Sequence, residues 1–124
     1  MLSQPPKSGL EIEAVGDVAV VRFTHRSLLG AGLIQRVSAE LQRAVEESGY
    51  QKLILNFSNV ESMTTSMVGQ LVLLQQKAKT LDGRLVLCSI SPFLFDIFKI
   101  LKLTKSFTIH ADEQTALESF RGAE

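Results

Sequence analysis

Two short segments, "KLILNF" at 52–57 and "GRLVLCSI" at 83–90, constrain the fold of this chain more than any other feature. Each is nearly all apolar and lacks the in–out alternation of a strand with one wet face. Runs of this length and uniformity suit strands covered on both faces, the environment of a parallel sheet. Parallel strands cannot be joined by tight turns, so helical crossovers must stand between them.

The sequence supplies those crossovers. "RSLLGAGLIQRVSAELQRAVEESGY" predicts a helix from about Leu33 to Ser48, with Ile34, Val37, Leu41, Ala44 and Val45 at three- and four-residue spacing and Gly49 as its stop. Arg36/Glu40 and Arg43/Glu47 fall on its solvated side. A second helix begins near Ser66, with Met67, Leu71, Leu74, Ala78 and Leu81 on its core stripe. A third, in "SPFLFDIFKILKL", has Ser91 as N-cap and Pro92 at the first helical position. Its predicted core face is Phe93, Leu94, Ile97, Ile100 and Leu101, while Phe95 stands apart between Lys99 and Lys102 as an exposed anchor for a partner. "SFTI" (106–109) predicts a last strand and "ADEQTALESF" a last helix, capped by Asp112 with Glu113 in its first turn.

At the other end, "LEIEAVGDVAVVRFT" predicts two strands around a Gly16–Asp17 turn, with Leu10, Ile12 and Ala14 alternating with Glu11 and Glu13. The order β-β-α-β-α-β-α-β-α predicts a single α/β domain. Its sheet is mixed but mainly parallel, with about five strands, the first two antiparallel, and about four helices. Residues 1–9 are expected to be a flexible lead-in, 10–120 the domain and 121–124 a C-terminal tail.

Charge and composition narrow the function. Thirteen basic residues balance thirteen acidic ones, so no global field draws in nucleic acid or anionic lipid. The single cysteine, Cys88, excludes an internal disulfide and suits a reducing compartment. "MLSQPPKSGL" has neither the charged start nor the apolar run of a signal peptide, and no apolar stretch is long enough to insert in a bilayer. A cytoplasmic protein is expected.

Enzyme templates find no match. "GAG" at 30–32 fits neither a dinucleotide nor a P-loop fingerprint. His25 and His110 fall at strand ends without metal-ligand spacing to a carboxylate or cysteine, and Cys88 sits inside an apolar strand. Asp17, Asp82 and Asp96 are scattered. With no nucleophile, base and orienting group in view, the chain is expected to be neither an enzyme nor a holder of a metal or cofactor.

The remaining feature is "NVESMTTSMVGQLVLL" (59–74), which begins as a hydroxyl-rich loop and ends as an apolar helix. Ligands and partners of parallel α/β sheets meet the loops at the carboxyl ends of strands, and this is such a loop. Thr64 or Thr65 should cap the helix. Ser66 lies about 100° from the core stripe, on one side with Gln70, Leu73 and Lys77. It should therefore be reachable by another protein at the positive end of a helix, where a phosphate would be stabilised. The expected contact surface is Thr64, Thr65, Ser66, Met67, Gln70, Leu73 and Phe95, with Ser66 or Thr65 as the phosphorylation site.

Several pieces in series resemble the STAS domain of anti-sigma factor antagonists. They are Asn59-Val60, Thr65-Ser66 before Val68-Gly69, Asp82-Gly83-Arg84 and Ser91-Pro92, and the likeness runs from about Leu10 to Phe120. The family pattern reads D/N-V, two or three residues, then D-S-S/T-G-L-G ahead of a helix. The resemblance implies a non-enzymatic switch that binds an anti-sigma factor acting also as a Ser/Thr kinase. It places the phosphoacceptor on Ser66 and implies a phosphatase that resets it. Thr64 stands where the pattern has Asp, and Met67 where it has Gly. A scaffold subunit of a signalling or transporter complex without phosphoregulation is the alternative, and the sequence leaves open whether the chain forms a homodimer.

Overall fold

A computed structural model describes residues 9–47 and 49–122. The expected lead-in up to residue 8 and the predicted first-helix end at Ser48 lie outside the described residues. In chain order the elements are β1 (Leu10–Val15), β2 (Val18–Phe23), β3 (Ser27–Leu28), α1 (Ala31–Glu47), β4 (Lys52–Asn56), β5 (Ser62–Met63), α2 (Thr65–Thr80), β6 (Arg84–Cys88), α3 (Pro92–Ile100), β7 (Thr108–His110) and α4 (Glu113–Gly122). The main sheet has five strands in the order β1-β2-β4-β6-β7. Only β1 and β2 pair antiparallel, from Leu10 opposite Phe23 to Val15 opposite Val18; the rest are parallel. Gly16, at φ 63, makes the two-residue turn between them, a conformation that costs a glycine little.

The uniformly apolar strands serve two cores at once, because successive residues point to opposite faces. Ala19, Val21, Leu53, Leu55, Phe57, Leu85 and Leu87 pack with α1, α2 and α3 on one face. Val18, Val20, Ile54, Val86 and Cys88 pack under Ala116 and Phe120 of α4 on the other. Phe23 and Phe57 meet with ring centroids 4.7 Å apart, and burying each contributes on the order of 2 kcal/mol.

Four expectations need correction. First, β3 and β5 are additional: two residues each, paired in parallel, Ser27 with Ser62 and Leu28 with Met63. They are too short to carry a periodicity. Second, on β1 only Leu10 is buried; Ile12 and Ala14 are exposed, because this strand is the sheet edge. Third, Leu81 is exposed because α2 has already ended and Leu81 is its cap. The chain folds back there through bonds from Asp82 N–H to Lys79 O (3.0 Å) and from Gly83 N–H to Ala78 O (2.7 Å), with Asp82 at φ 61. A Cβ on Gly83 would stand 3.2 Å from the carbonyl oxygens of Ala78 and Gln51, so glycine permits this close passage.

The fourth correction concerns α3. Leu94 and Phe98 are its buried residues, four apart on one stripe, and Phe98 packs edge-on against Phe107. Phe93 is 64% exposed and Ile100 76% exposed, while Phe95 is half-buried rather than free. In "PFLFDIFKI" only Asp96 and Lys99 are charged, so the helix has too little polar surface for periodicity to fix which side faces inward.

Candidate functional site

The helices α1, α2 and α3 all start at the carboxyl edge of the parallel strands, and the loop 57–64 delivers the chain from β4 into α2 there. The loop is pinned from below. Asn56 Oδ1 accepts the Ser58 N–H at 2.8 Å, and the Asn59 side-chain amide donates to the Phe23 carbonyl at 3.1 Å. Val60 is buried. Alongside, the β3 segment receives the loop through Glu61 N–H and Ser62 N–H to the Arg26 carbonyl and Thr64 N–H to the Leu28 carbonyl.

The clustered hydroxyls divide into two kinds on this frame. Ser62 Oγ meets Ser27 Oγ at 3.1 Å and so ties the two short strands together. Thr64 is the N-cap: its φ and ψ are extended, and its Oγ1 accepts the Met67 N–H at 3.1 Å. Thr65 and Ser66 are the first two helical residues, and both are exposed. Gln70 is half-buried and Leu73 is 53% exposed. Met67 is fully buried in the main core, so its expected place on a contact surface is not available to it.

The side of α2 that carries Ser66 does not face open solvent alone. It runs beside α1, and a groove of about 470 Å³ lies between them, with Gln35, Ser38 and Gln42 on one wall and Ser66 and Gln70 on the other. An ion pair between Lys77 and Glu46 joins the same two helices further along. The lining carries hydroxyls and carboxamides but no charged side chain. The α1 stripe Gln35, Ser38, Gln42 escaped the sequence reading. Small or neutral polar residues at three- and four-residue spacing within an apolar pattern are the signal that could have found it.

A polar network on the α4 face was also missed. Glu113 accepts from the Arg22 guanidinium through both carboxylate oxygens, at 3.2 and 2.9 Å, and from the buried Asn56 amide at 2.8 Å. Arg22 also donates to Glu13 at 2.8 Å. Glu113 and then Glu13 hold the Arg22 pKa above its ordinary value. Asp112 caps α4, and the Thr115 N–H at 2.8 Å holds its carboxyl below the usual range. Cys88 is buried in this layer, and burial pushes its thiol up to about 11. Among the described residues no cluster of His, Cys, Asp and Glu could hold a metal ion, and His25 and His110 are not brought together with one. Among the described residues, no helix is long and apolar enough to cross a membrane.

Comparison with known proteins follows the same outline. The chain resembles an anti-sigma factor antagonist of Thermotoga maritima at a TM-score of 0.80 and 19% identity, covering 93% of this chain and 97% of that one. It resembles an anti-sigma-factor antagonist (STAS) domain protein of Planctomyces limnophilus at 0.80 and 18%, covering 89% and 96%. The phosphorylated form of the Bacillus cell fate determinant SpoIIAA matches at 0.68 and 21%, covering 90% and 98%. At these identities the likeness is one of fold. The sequence pattern of the STAS domain family matches residues 10–116, nearly all of the described fold, and the chain belongs to that family.

Proposed function

We propose that this chain is a non-enzymatic regulatory binding protein of the anti-sigma factor antagonist kind, working in the cytoplasm. It binds an anti-sigma factor that is also a Ser/Thr kinase, and phosphorylation at Ser66 breaks that complex. The kinase moves the terminal phosphoryl group of a nucleoside triphosphate onto Ser66 Oγ; the hydroxyl proton is lost and the nucleoside diphosphate leaves. A phosphatase reverses the modification. Thr65 is the neighbouring acceptor. The contact surface is Thr65, Ser66, Gln70 and Leu73, flanked by Thr64.

One observation carries this reading. Ser66 is exposed at the positive end of a 16-residue helix whose capping position is already filled by Thr64. Its hydroxyl therefore has no structural duty and is presented to whatever docks there. Incubation with the Ser/Thr kinases of the host, followed by mass spectrometry, is expected to label Ser66. A protein recovered without phosphate at Thr65 or Ser66 would remove the switch. A pull-down comparing wild type with Ser66→Asp is expected to lose one partner in the variant.

A second reading has its own support. The two positions that depart from the family pattern are both occupied structurally, Thr64 as cap and Met67 as core. The same domain could then serve as a scaffold subunit of a signalling or transporter complex without a phosphate switch. In that case the pull-down retains the same partners in Ser66→Asp.

A further inference from the structure

Ser66 opens onto the α1–α2 groove, and three properties of that groove point to one ligand chemistry. The first is dipolar. Both helices begin at this end, and Ala31 and Gly32 at the start of α1 line the groove with Ser66. The residue before α1 is Gly30, which has no side chain to cap it, and the first helical bond is Ile34 N–H to the Gly30 carbonyl at 2.9 Å. The amides of Ala31 and Gly32 thus lie in the first turn of α1, ahead of its first hydrogen-bonded amide. In α2 the first such bond is Val68 N–H to the Thr64 carbonyl, and Thr64 Oγ1 claims only the Met67 amide. Two positive helix ends therefore converge on one space.

The second property is an orphan. Ser38 lies in the groove wall, is 8% exposed, and its Oγ has no hydrogen-bond partner among the described residues. A buried hydroxyl left without a partner is costly unless something else meets it. The third is the lining itself. Gln35, Gln42 and Gln70 offer carboxamide donors, and no carboxylate stands among the lining residues to repel an anion.

We propose that this groove receives, within the same molecule, the phosphoryl group carried on Ser66. The inference rests on Ser66 being the modified residue. Ser66 already lines the groove, so its phosphate needs no rearrangement of α2 to enter. Held there, the phosphate ties α1 to α2 through Gln35, Ser38 and the Ala31 and Gly32 amides. Phosphorylation then closes the groove to a partner instead of acting only by added charge.

The test installs phosphoserine at position 66 by genetic encoding, so it needs no kinase. Absence of a kinase in the host would defeat the proposed function but would not touch this inference. The phosphate is titrated by phosphorus NMR in the wild-type background and in Gln35→Ala/Gln70→Ala and Ser38→Ala backgrounds. An exposed phosphoserine titrates near pH 6, and donors that favour the dianion should lower that value by about half a unit or more. The expected result is a lowered value in the wild-type background that moves back toward 6 in the variants. The backbone amide signals of Ala31 and Gly32 should shift with the same midpoint. A value near 6 in the wild-type background would overturn the proposal. So would a lowered value unchanged by the variants, which would credit α2 alone, or silent Ala31 and Gly32 amides.

Discussion

Replacing Thr64 by alanine separates the structural hydroxyl of the loop from the presented one. The substitution deletes the acceptor of the Met67 N–H and leaves the backbone bonds of Thr64 in place, from its N–H to the Leu28 carbonyl and to its carbonyl from Val68 N–H. Loss of a threonine N-cap costs about 1 kcal/mol, within a range of roughly 0.5–2. An unfolding entropy of about 2.1 cal/mol/K per residue over 124 residues gives roughly 0.26 kcal/mol/K, so Tm should fall by about 4 °C. Ser66→Ala, at an exposed first-turn residue with no cap to lose, should stay within about 0.5 kcal/mol of wild type. Thr64→Asp restores the family's residue, keeps an acceptor at the cap and adds a negative charge at the helix N-terminus. It should match wild type or gain a few tenths of a kcal/mol. Calorimetry and urea unfolding of the three variants are the assay. If Thr64→Ala unfolds with wild type, or if Ser66→Ala falls as far as Thr64→Ala, the division of labour among these hydroxyls is wrong.

Glu113→Ala leaves the buried Asn56 amide without its acceptor and strips Arg22 of one of its two carboxylates, so it should cost about 1–3 kcal/mol by urea unfolding, with Glu113→Gln milder. On α3, Phe98→Ala should cost about 3–5 kcal/mol, whereas Ile100→Glu at its exposed face should change stability by less than about 0.5; the reverse order would mean that the helix is rotated. The Cys88 thiol, raised from 9.0 to about 11 by burial, stays protonated in the folded chain after the unfolded chain has begun to ionise. Its contribution is therefore complete below about pH 9 and fades as pH rises through 11, by about 3 kcal/mol in all. Urea midpoints between pH 8 and 11 should consequently fall more steeply in wild type than in Cys88→Ala.

What was legible in the sequence depended on how many residues voted for each feature. β4 and β6 have buried side chains on both faces, so their uniform apolarity announced a covered parallel strand. α1 alternates a clear apolar stripe with charge, and the spacing indicates its buried apolar residues Ile34, Val37, Leu41, Ala44 and Val45 but not the buried Ser38. The caps at Ser91 and Asp112 were legible because a cap is a local contact, made within three residues. On α3 the spacing put Phe93, Ile100 and Leu101 on the core face although they are exposed, since a helix with only two charged residues gives periodicity too little contrast to choose a side. β3 and β5 gave nothing, since a two-residue ladder exists only by virtue of a partner 35 positions away. The Arg22–Glu113–Asn56 network spans 91 residues of chain and has no local signature at all.

The two departures from the family pattern are of different physical weight. Thr64 and the pattern's aspartate both place an oxygen acceptor at the cap, so the helix start is preserved and only a charge beside Ser66 is lost. Met67 is more than a tolerated replacement for glycine. It is fully buried among the residues of the main core, one turn below Leu71, and it sits inside α2 rather than in the loop. Reverting it would remove a buried side chain, at about 2–5 kcal/mol, and put glycine inside a helix, at about 1 kcal/mol more. The methionine thus anchors the first turn from the inside while leaving the outer face of that turn, with Thr65 and Ser66, as open as before. Bulk at this position points inward to the core, where it stiffens the base on which Ser66 stands and does not obstruct a docking protein.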